Sequence, residues 1–164
     1  MPAAANDNPA LSVSFPPRQP FVSSSMGLVS DFCHEYLRDA DVISRVRLAA
    51  HELLENLVKY GAEGAVRLEL ALERQAEGAY VRIRTYNRCG ADQLATLRPV
   101  LESLTRAADP VSFYDETIRA SAKRAHGSGL GLARIRAEGE MIVSYAIDGN
   151  AVTICAELPV LETL

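Results

Sequence analysis

Strict alternation of apolar and polar positions comes in short bursts along this chain, separated by stretches of helical periodicity, and that rhythm sets the expected elements. Leu11-Ser12-Val13-Ser14-Phe15 alternates as a half-buried strand does. Pro16, Pro17 and Pro20 close it, because proline cannot donate to a central ladder. Ser23-Ser24-Ser25 offers N-caps for a helix to about Leu37, with Met26, Val29, Phe32, Cys33 and Tyr36 at helical spacing. Asp41 is the expected cap of a second helix. It turns Ile43, Val46, Ala50, Leu53, Leu54, Leu57 and Val58 inward and stops at Gly61.

Val66–Leu72 and Tyr80–Tyr86 alternate again around the turn-like Gln75-Ala76-Glu77-Gly78, which predicts a hairpin with one charged face. Asp92 to Ala107 reads as a helix, and Asp109-Pro110 starts another by the Asp-cap, Pro-first-turn rule. Leu132 to Gly139 is helical, and Met141–Ile147 and Ala151–Leu158 form a last hairpin about Asp148-Gly149-Asn150. Adjacent hairpins in place of regular βαβ alternation predict an α+β two-layer sandwich. Its sheet is expected to be mixed but mostly antiparallel, with helices on one face.

Composition narrows the class. The 164 residues suit one domain, expected over 11–164 behind a disordered tail at 1–10, and the mix of 48% hydrophobic and 23% charged residues excludes wholesale disorder. A net charge of −4 argues against direct nucleic-acid binding. No apolar run approaches the roughly 18 residues of a membrane span, and the N-terminus lacks the features of a signal peptide. Cys33, Cys89 and Cys155 are odd in number and widely spaced, which fits reduced thiols in a cytoplasmic chain.

Chemistry enters with the second helix. At about 100° per residue, Glu52, Asn56 and Lys59 project within roughly 60° of one another. A solvated face explains such a ridge equally well. Facing a polyphosphate, Asn56 could offer its carbonyl oxygen to a divalent cation, Lys59 could offset phosphate charge, and Glu52 could deprotonate a nucleophile. Further on stands Gly127-Ser128-Gly129-Leu130-Gly131-Leu132, where alternating glycines run into a helix whose first turn presents unpaired N–H donors. It is neither a Walker loop nor a dinucleotide fingerprint. The weight lies in the pairing of the two segments.

Together, Glu52-x-x-x-Asn56-x-x-Lys59-Tyr60-Gly61 and Gly127-Ser128-Gly129-Leu130-Gly131-Leu132 resemble the N box and G2 box of the GHKL ATPases. The order of elements resembles their Bergerat, or histidine-kinase-like ATPase, fold. Among the small stand-alone members the chain is most similar to the anti-sigma-factor serine kinases, and within those to the SiaB-like regulators. The resemblance implies ATP and Mg2+ as cofactors, with Asn56 on the metal and Glu52 as catalytic base. Lys59 would lie by the phosphates, and Gly127, Ser128, Gly129, Leu130 and Gly131 would hold them through their backbone. Residues 109–126 would form a mobile lid. The implied partner is a STAS-domain anti-sigma antagonist or similar regulatory protein, with a sigma factor as a further candidate, and a homodimer is compatible with the family.

A third motif departs from the family's pattern. Where the family has Asp-x-Gly-x-Gly, this chain has Asn87, Cys89 and Ala91 at the Asp and two Gly positions. Asn87 keeps an acceptor for adenine but loses the charge, worth about 1–2 kcal/mol. Cys89 and Ala91 add Cβ atoms. An inert protein-binding module of the same fold, with weak or no nucleotide binding, is therefore the alternative to a kinase. His51, in His51-Glu52-Leu53, suggests a phosphoacceptor, but the chain is too short for both a phosphoacceptor hairpin and an ATP domain. His34, His51 and His126 read as surface residues, and Arg82 and Arg84 as a solvated strand face open to an acidic partner.

Overall fold

The computed structural model describes residues 8–62, 64–123 and 129–161. Its strands are β1 (Ala10–Phe15), β2 (Val66–Gln75), β3 (Gly78–Arg88), β4 (Ile142–Asp148) and β5 (Ala151–Val160), in the sheet order β1-β2-β3-β5-β4. Every pairing is antiparallel, so the sheet is not mixed. Both predicted hairpins are present and longer than the alternation alone suggested. Ala10 opens β1, and Asn8 and Pro9 just before it are hydrogen-bonded to β2. The Asn8 carboxamide accepts from the Arg74 N–H at 3.0 Å, and the Pro9 carbonyl accepts from Leu72 at 3.0 Å.

Among the described residues the helices are α1 (Pro20–Tyr36), α2 (Ala40–Tyr60), α3 (Ala91–Arg106), α4 (Pro110–Ser121) and α5 (Leu130–Ala137). One face of the sheet buries Leu68 and Leu70 of β2, Val81 and Ile83 of β3, and Ile154 and Ala156 of β5. Against it α2 lays Leu53, Leu54 and Leu57, all essentially sealed from solvent. This is the expected two-layer α+β sandwich. No helix of the described residues is long and apolar enough to cross a membrane.

Element starts differ from the sequence expectation for local reasons. The α1 helix begins at Pro20, not after the serines, because proline's fixed φ suits the first turn and its missing N–H costs nothing there. Ser23, Ser24 and Ser25 lie inside the helix, and Ser25 is buried. The cap of α2 is Asp39, whose carboxylate accepts from the N–H groups of Asp41 and Val42 at 2.8 and 3.3 Å. Asp41 instead pairs with Arg45 one turn on, at 2.7 Å. Gly61 does end α2, but with φ −72° it is not left-handed. A Cβ there would lie 2.6 Å from the Leu57 carbonyl oxygen, so glycine is demanded by space.

Candidate functional site

The ridge on α2 is partly covered by its neighbours and is not a freely solvated face. Glu52 has a side chain only 18% exposed, and Asn56 is half-buried. The Asn56 Nδ2 is sealed from solvent and has no hydrogen-bond partner among the described residues, and the same holds for the Tyr60 hydroxyl one turn later. Buried donors without acceptors cost on the order of 1–3 kcal/mol each, so two in succession mark a place where a polar group is missing. Lys59 stays exposed at the rim, its ammonium 5.1 Å from the Tyr60 ring centroid.

The second segment comes down onto this ridge. Gly129 is the N-cap of α5 with φ +87°, a left-handed conformation that favours glycine, and its Cα side abuts Val100 of α3. The helix therefore begins at Leu130, two residues before the periodicity indicated. A Cβ on Gly131 would overlap the Glu52 carboxylate. So Glu52 of α2 and Gly131 of the glycine run, far apart in sequence, are in contact, with the positive end of the α5 dipole beside the carboxylate. Arg136 anchors this arrangement from behind, donating to the carbonyls of Leu104 and Ala107 at the end of α3. Gly127 and Ser128 lie outside the described residues, as does His126.

One further turn along α5, Arg134 donates to Glu52 Oε1 at 3.2 Å and, through Nε, to Glu138 at 2.8 Å. The Tyr114 side chain of α4 lies near that same Glu138. Burial, followed by the nearby Glu138 carboxylate, pushes the Tyr114 phenol above its usual range, so it remains a donor. The expected lid region is thus helical over Pro110–Ser121, with none of its residues buried. Phe113 and Tyr114 rest on the core.

At the opposite end of the ridge Asn87 is 9% exposed and donates to the Tyr60 carbonyl at 3.3 Å and to Cys89 Sγ at 3.2 Å. These bonds fix the amide orientation and leave its oxygen as the acceptor. Cys89, like Ala91, lines a pocket that also includes Ala62 and Leu94. It is buried in the core, and that burial raises its thiol pKa. Gly90 caps α3 and Ala91 is its first residue, with Gln93 reaching back to the Gly90 N–H at 2.8 Å. The altered motif therefore doubles as the entry to a helix.

The remaining candidates fall elsewhere. His51 is exposed, 3.8 Å from Glu55, on the rim of a groove toward α1 that also includes Met26 and Arg47. Arg82 and Arg84 are not freely solvated: Arg82 lies between Glu73 and Glu157 at 2.5 Å each, and Arg84, half-buried, faces Cys155 across the ladder. Among the described residues no group of three or more His, Cys, Asp or Glu side chains could hold a metal. Tyr114, Arg134 and Glu138 escaped the sequence reading, and Tyr60 entered it only as part of the motif on α2. The i, i+4 spacing of Arg134 and Glu138 just beyond the glycines was the one signal available for them.

No family model matches the sequence, and no curated protein matches it. Solved structures do. A chain in the crystal structure of the SiaB–SiaC complex from Pseudomonas aeruginosa aligns over 92% of this chain and 89% of its own, with a TM-score of 0.62 and 16% sequence identity. The shared fold is SiaB-like, and at that identity the likeness is one of fold.

Proposed function

We propose that the chain binds Mg-ATP along the Glu52–Asn56 ridge and the α5 N-terminus, and acts as a protein serine/threonine kinase on a partner regulatory protein. The observation that supports this most is the approach of Gly131 to Glu52 beside the orphaned Asn56 Nδ2. A nucleotide fits the residues present. Buried donors await an acceptor, and first-turn amides of α5 are free of intrahelical partners by geometry. Mg2+ at Asn56 would draw its other ligands from phosphate and water, and would offset charge on the transferring phosphoryl group. Lys59, Gly127, Ser128, Gly129 and Leu130 would complete the phosphate contacts, and the Asn87 oxygen would accept from the base.

Glu52 would then take the proton of an incoming hydroxyl, while Asn56 fixes the terminal phosphate in line with it. The solved neighbour is a two-protein complex. By analogy, the phosphoacceptor here is a second regulatory protein, in the anti-sigma antagonist class implied by the sequence resemblance, and the setting is a cytoplasmic partner-switching circuit. A second reading has its own support: Glu52 is ion-paired with Arg134 at 3.2 Å, which suits an inert binding module.

Thermal unfolding with and without Mg-ATP separates the two. At 100 times its dissociation constant the ligand should add about 2.7 kcal/mol of stability, seen as a rise in Tm that Asn56→Ala removes. No rise in the wild-type protein contradicts the nucleotide reading. If the rise is present, phosphate transfer to a partner that Glu52→Gln abolishes supports the kinase over the inert module.

A further inference from the structure

The sheet has a second face, and its charge is balanced at one end only. Leu68, Leu70, Val81 and Ile83 are buried on the helical side, so the residues that alternate with them share the opposite face. At one end of that face Arg82 lies between Glu73 and Glu157. At the other end Arg67 of β2 stands opposite Tyr86 of β3, and Arg84 and Arg88 flank Tyr86 on the same side of the strand. Both are therefore diagonal neighbours of Arg67, at about 7–8 Å. Glu69 is the single carboxylate on these strand segments, and Asp148 of β4 is separated from Arg88 by the width of β5. Three guanidinium groups thus gather around one carboxylate in a chain of net charge −4, an unfavourable crowding that an arriving anion relieves.

Two of these arginines are held in place while staying accessible. The Arg67 guanidinium stacks on the Tyr86 ring, 4.2 Å from its centroid, and meets Glu69 through Nε at 3.2 Å. The Tyr86 hydroxyl donates to the same Glu69 at 3.0 Å, which closes the arrangement. Arg67 nonetheless keeps 46% of its side chain exposed. Arg88, also exposed, is tied through Nη1 to Asn150 at 2.9 Å. A hollow of about 450 Å3 lies against Arg67, Tyr86 and Arg88, with Ser14 and Thr153 on its wall. The strand register explains this company. Ser14, Arg67, Tyr86 and Thr153 form one row across β1, β2, β3 and β5.

The donors present select the ligand. One guanidinium fork satisfies both oxygens of a carboxylate, whereas a phosphate monoester offers three oxygens and close to two charges, enough for two forks and a hydroxyl. An extended polyanion is disfavoured, because along the strands it would run onto Glu73 and Glu157. The hollow is open and shallow enough for a group carried at the tip of a side chain. We propose that this row on the open sheet face is a docking site for a single phosphorylated serine or threonine of a partner protein, gripped by Arg67 and Arg88. Glu52, Asn56 and the start of α5 lie on the helical side, so the site stands independently of the nucleotide reading above.

The test titrates acetyl-Gly-Gly-phosphoserine-Gly-Gly-amide into the isotope-labelled full chain without nucleotide. The backbone amides of Arg67, Tyr86 and Thr153 and the Arg67 Nε–H should move along one saturation curve, while Asn56 and Gly131 stay still. Arg67→Met and Arg88→Met should each weaken binding about fivefold or more. Arg98→Met removes the same charge from the exposed side of α3 and should change affinity by less than about twofold. Unperturbed amide resonances elsewhere in each variant establish that it is folded.

Sheet resonances that do not move at about 20 mM peptide, an affinity too weak for docking, overturn the site. Equal binding of the unphosphorylated peptide, or of one with aspartate in place of phosphoserine, overturns the phosphate assignment. Inorganic phosphate that binds at least as tightly as the peptide makes this a free-anion site and overturns the docking role. Equal weakening by Arg98→Met reduces the effect to net charge and overturns the assignment to Arg67 and Arg88.

Discussion

Among the described residues Arg45, Arg82 and Arg134 each bridge two carboxylates, and the last two differ most in what surrounds them. Arg82 lies on β3 between Glu73 of β2 and Glu157 of β5, both at 2.5 Å, with its side chain 21% exposed. Glu157 is its direct cross-strand partner in the ladder. Arg134 reaches across from α5 to α2 at 3.2 Å, twice as exposed, beside a glycine run. On the sheet, backbone hydrogen bonds hold all three charged groups in register before the ion pairs form, so the pairs are fixed structure. At the contact of α2 with α5, two helices share the charges and no ladder constrains them. The same chemical pattern is static in one place and free to rearrange in the other.

Glycine substitutions should break this contrast most strongly. Gly61→Ala places a Cβ 2.6 Å from a backbone oxygen and 2.8 and 2.9 Å from Val66 and Pro17, atoms with nowhere to go. About 3 kcal/mol of stability should be lost, lowering Tm by about 6–12 °C. Gly131→Ala meets only the end of the Glu52 side chain, which can swing aside. It should cost less than about 1 kcal/mol in urea unfolding, yet separate Glu52 from Arg134.

The arginines themselves come next. Arg82→Met leaves two half-buried carboxylates facing each other and should cost about 1–3 kcal/mol. Arg134→Met should cost no more than about 1 kcal/mol. Equal losses in denaturant melts would erase the distinction drawn between the sheet and the helix contact.

The smallest effect concerns the cap of α4. Bonds from the Ser112 hydroxyl, and from the N–H groups of Ser112 and Val111, hold the Asp109 carboxyl below its ordinary 3.8. A carboxyl whose pKa is lowered on folding stabilises above its unfolded value and loses that contribution as pH falls through the folded one. Exchange in α4 should therefore quicken as pH drops below 3.8, after correction for intrinsic rates, and Asp109→Asn should flatten that dependence.

Much of this was legible in the sequence. Strict alternation gave both hairpins their strands and the buried face of the sheet, and the Leu53, Leu54, Leu57 periodicity gave α2 its core side. Element starts were less legible, because capping is decided by a single residue among several competent ones: three serines and Asp41 were available, yet Pro20 and Asp39 prevailed. The ridge of Glu52 and Asn56 could be read from spacing. Its closure by Gly131 could not, since that contact depends on where α5 lands. Arg82 and Arg84 read as solvated because alternation distinguishes faces but not the ion pairs that form across strands.

The central claim is that Asn56 and the start of α5 grip one phosphate chain. Titrating Mg-ATP into isotope-labelled protein, and following the Asn56 side-chain amide with the backbone amides of Gly129 and Gly131, tests it most directly. The account predicts that these resonances shift together along one saturation curve while His51 stays still. Resonances that fail to move at millimolar Mg-ATP, or that saturate with unrelated affinities, would contradict it.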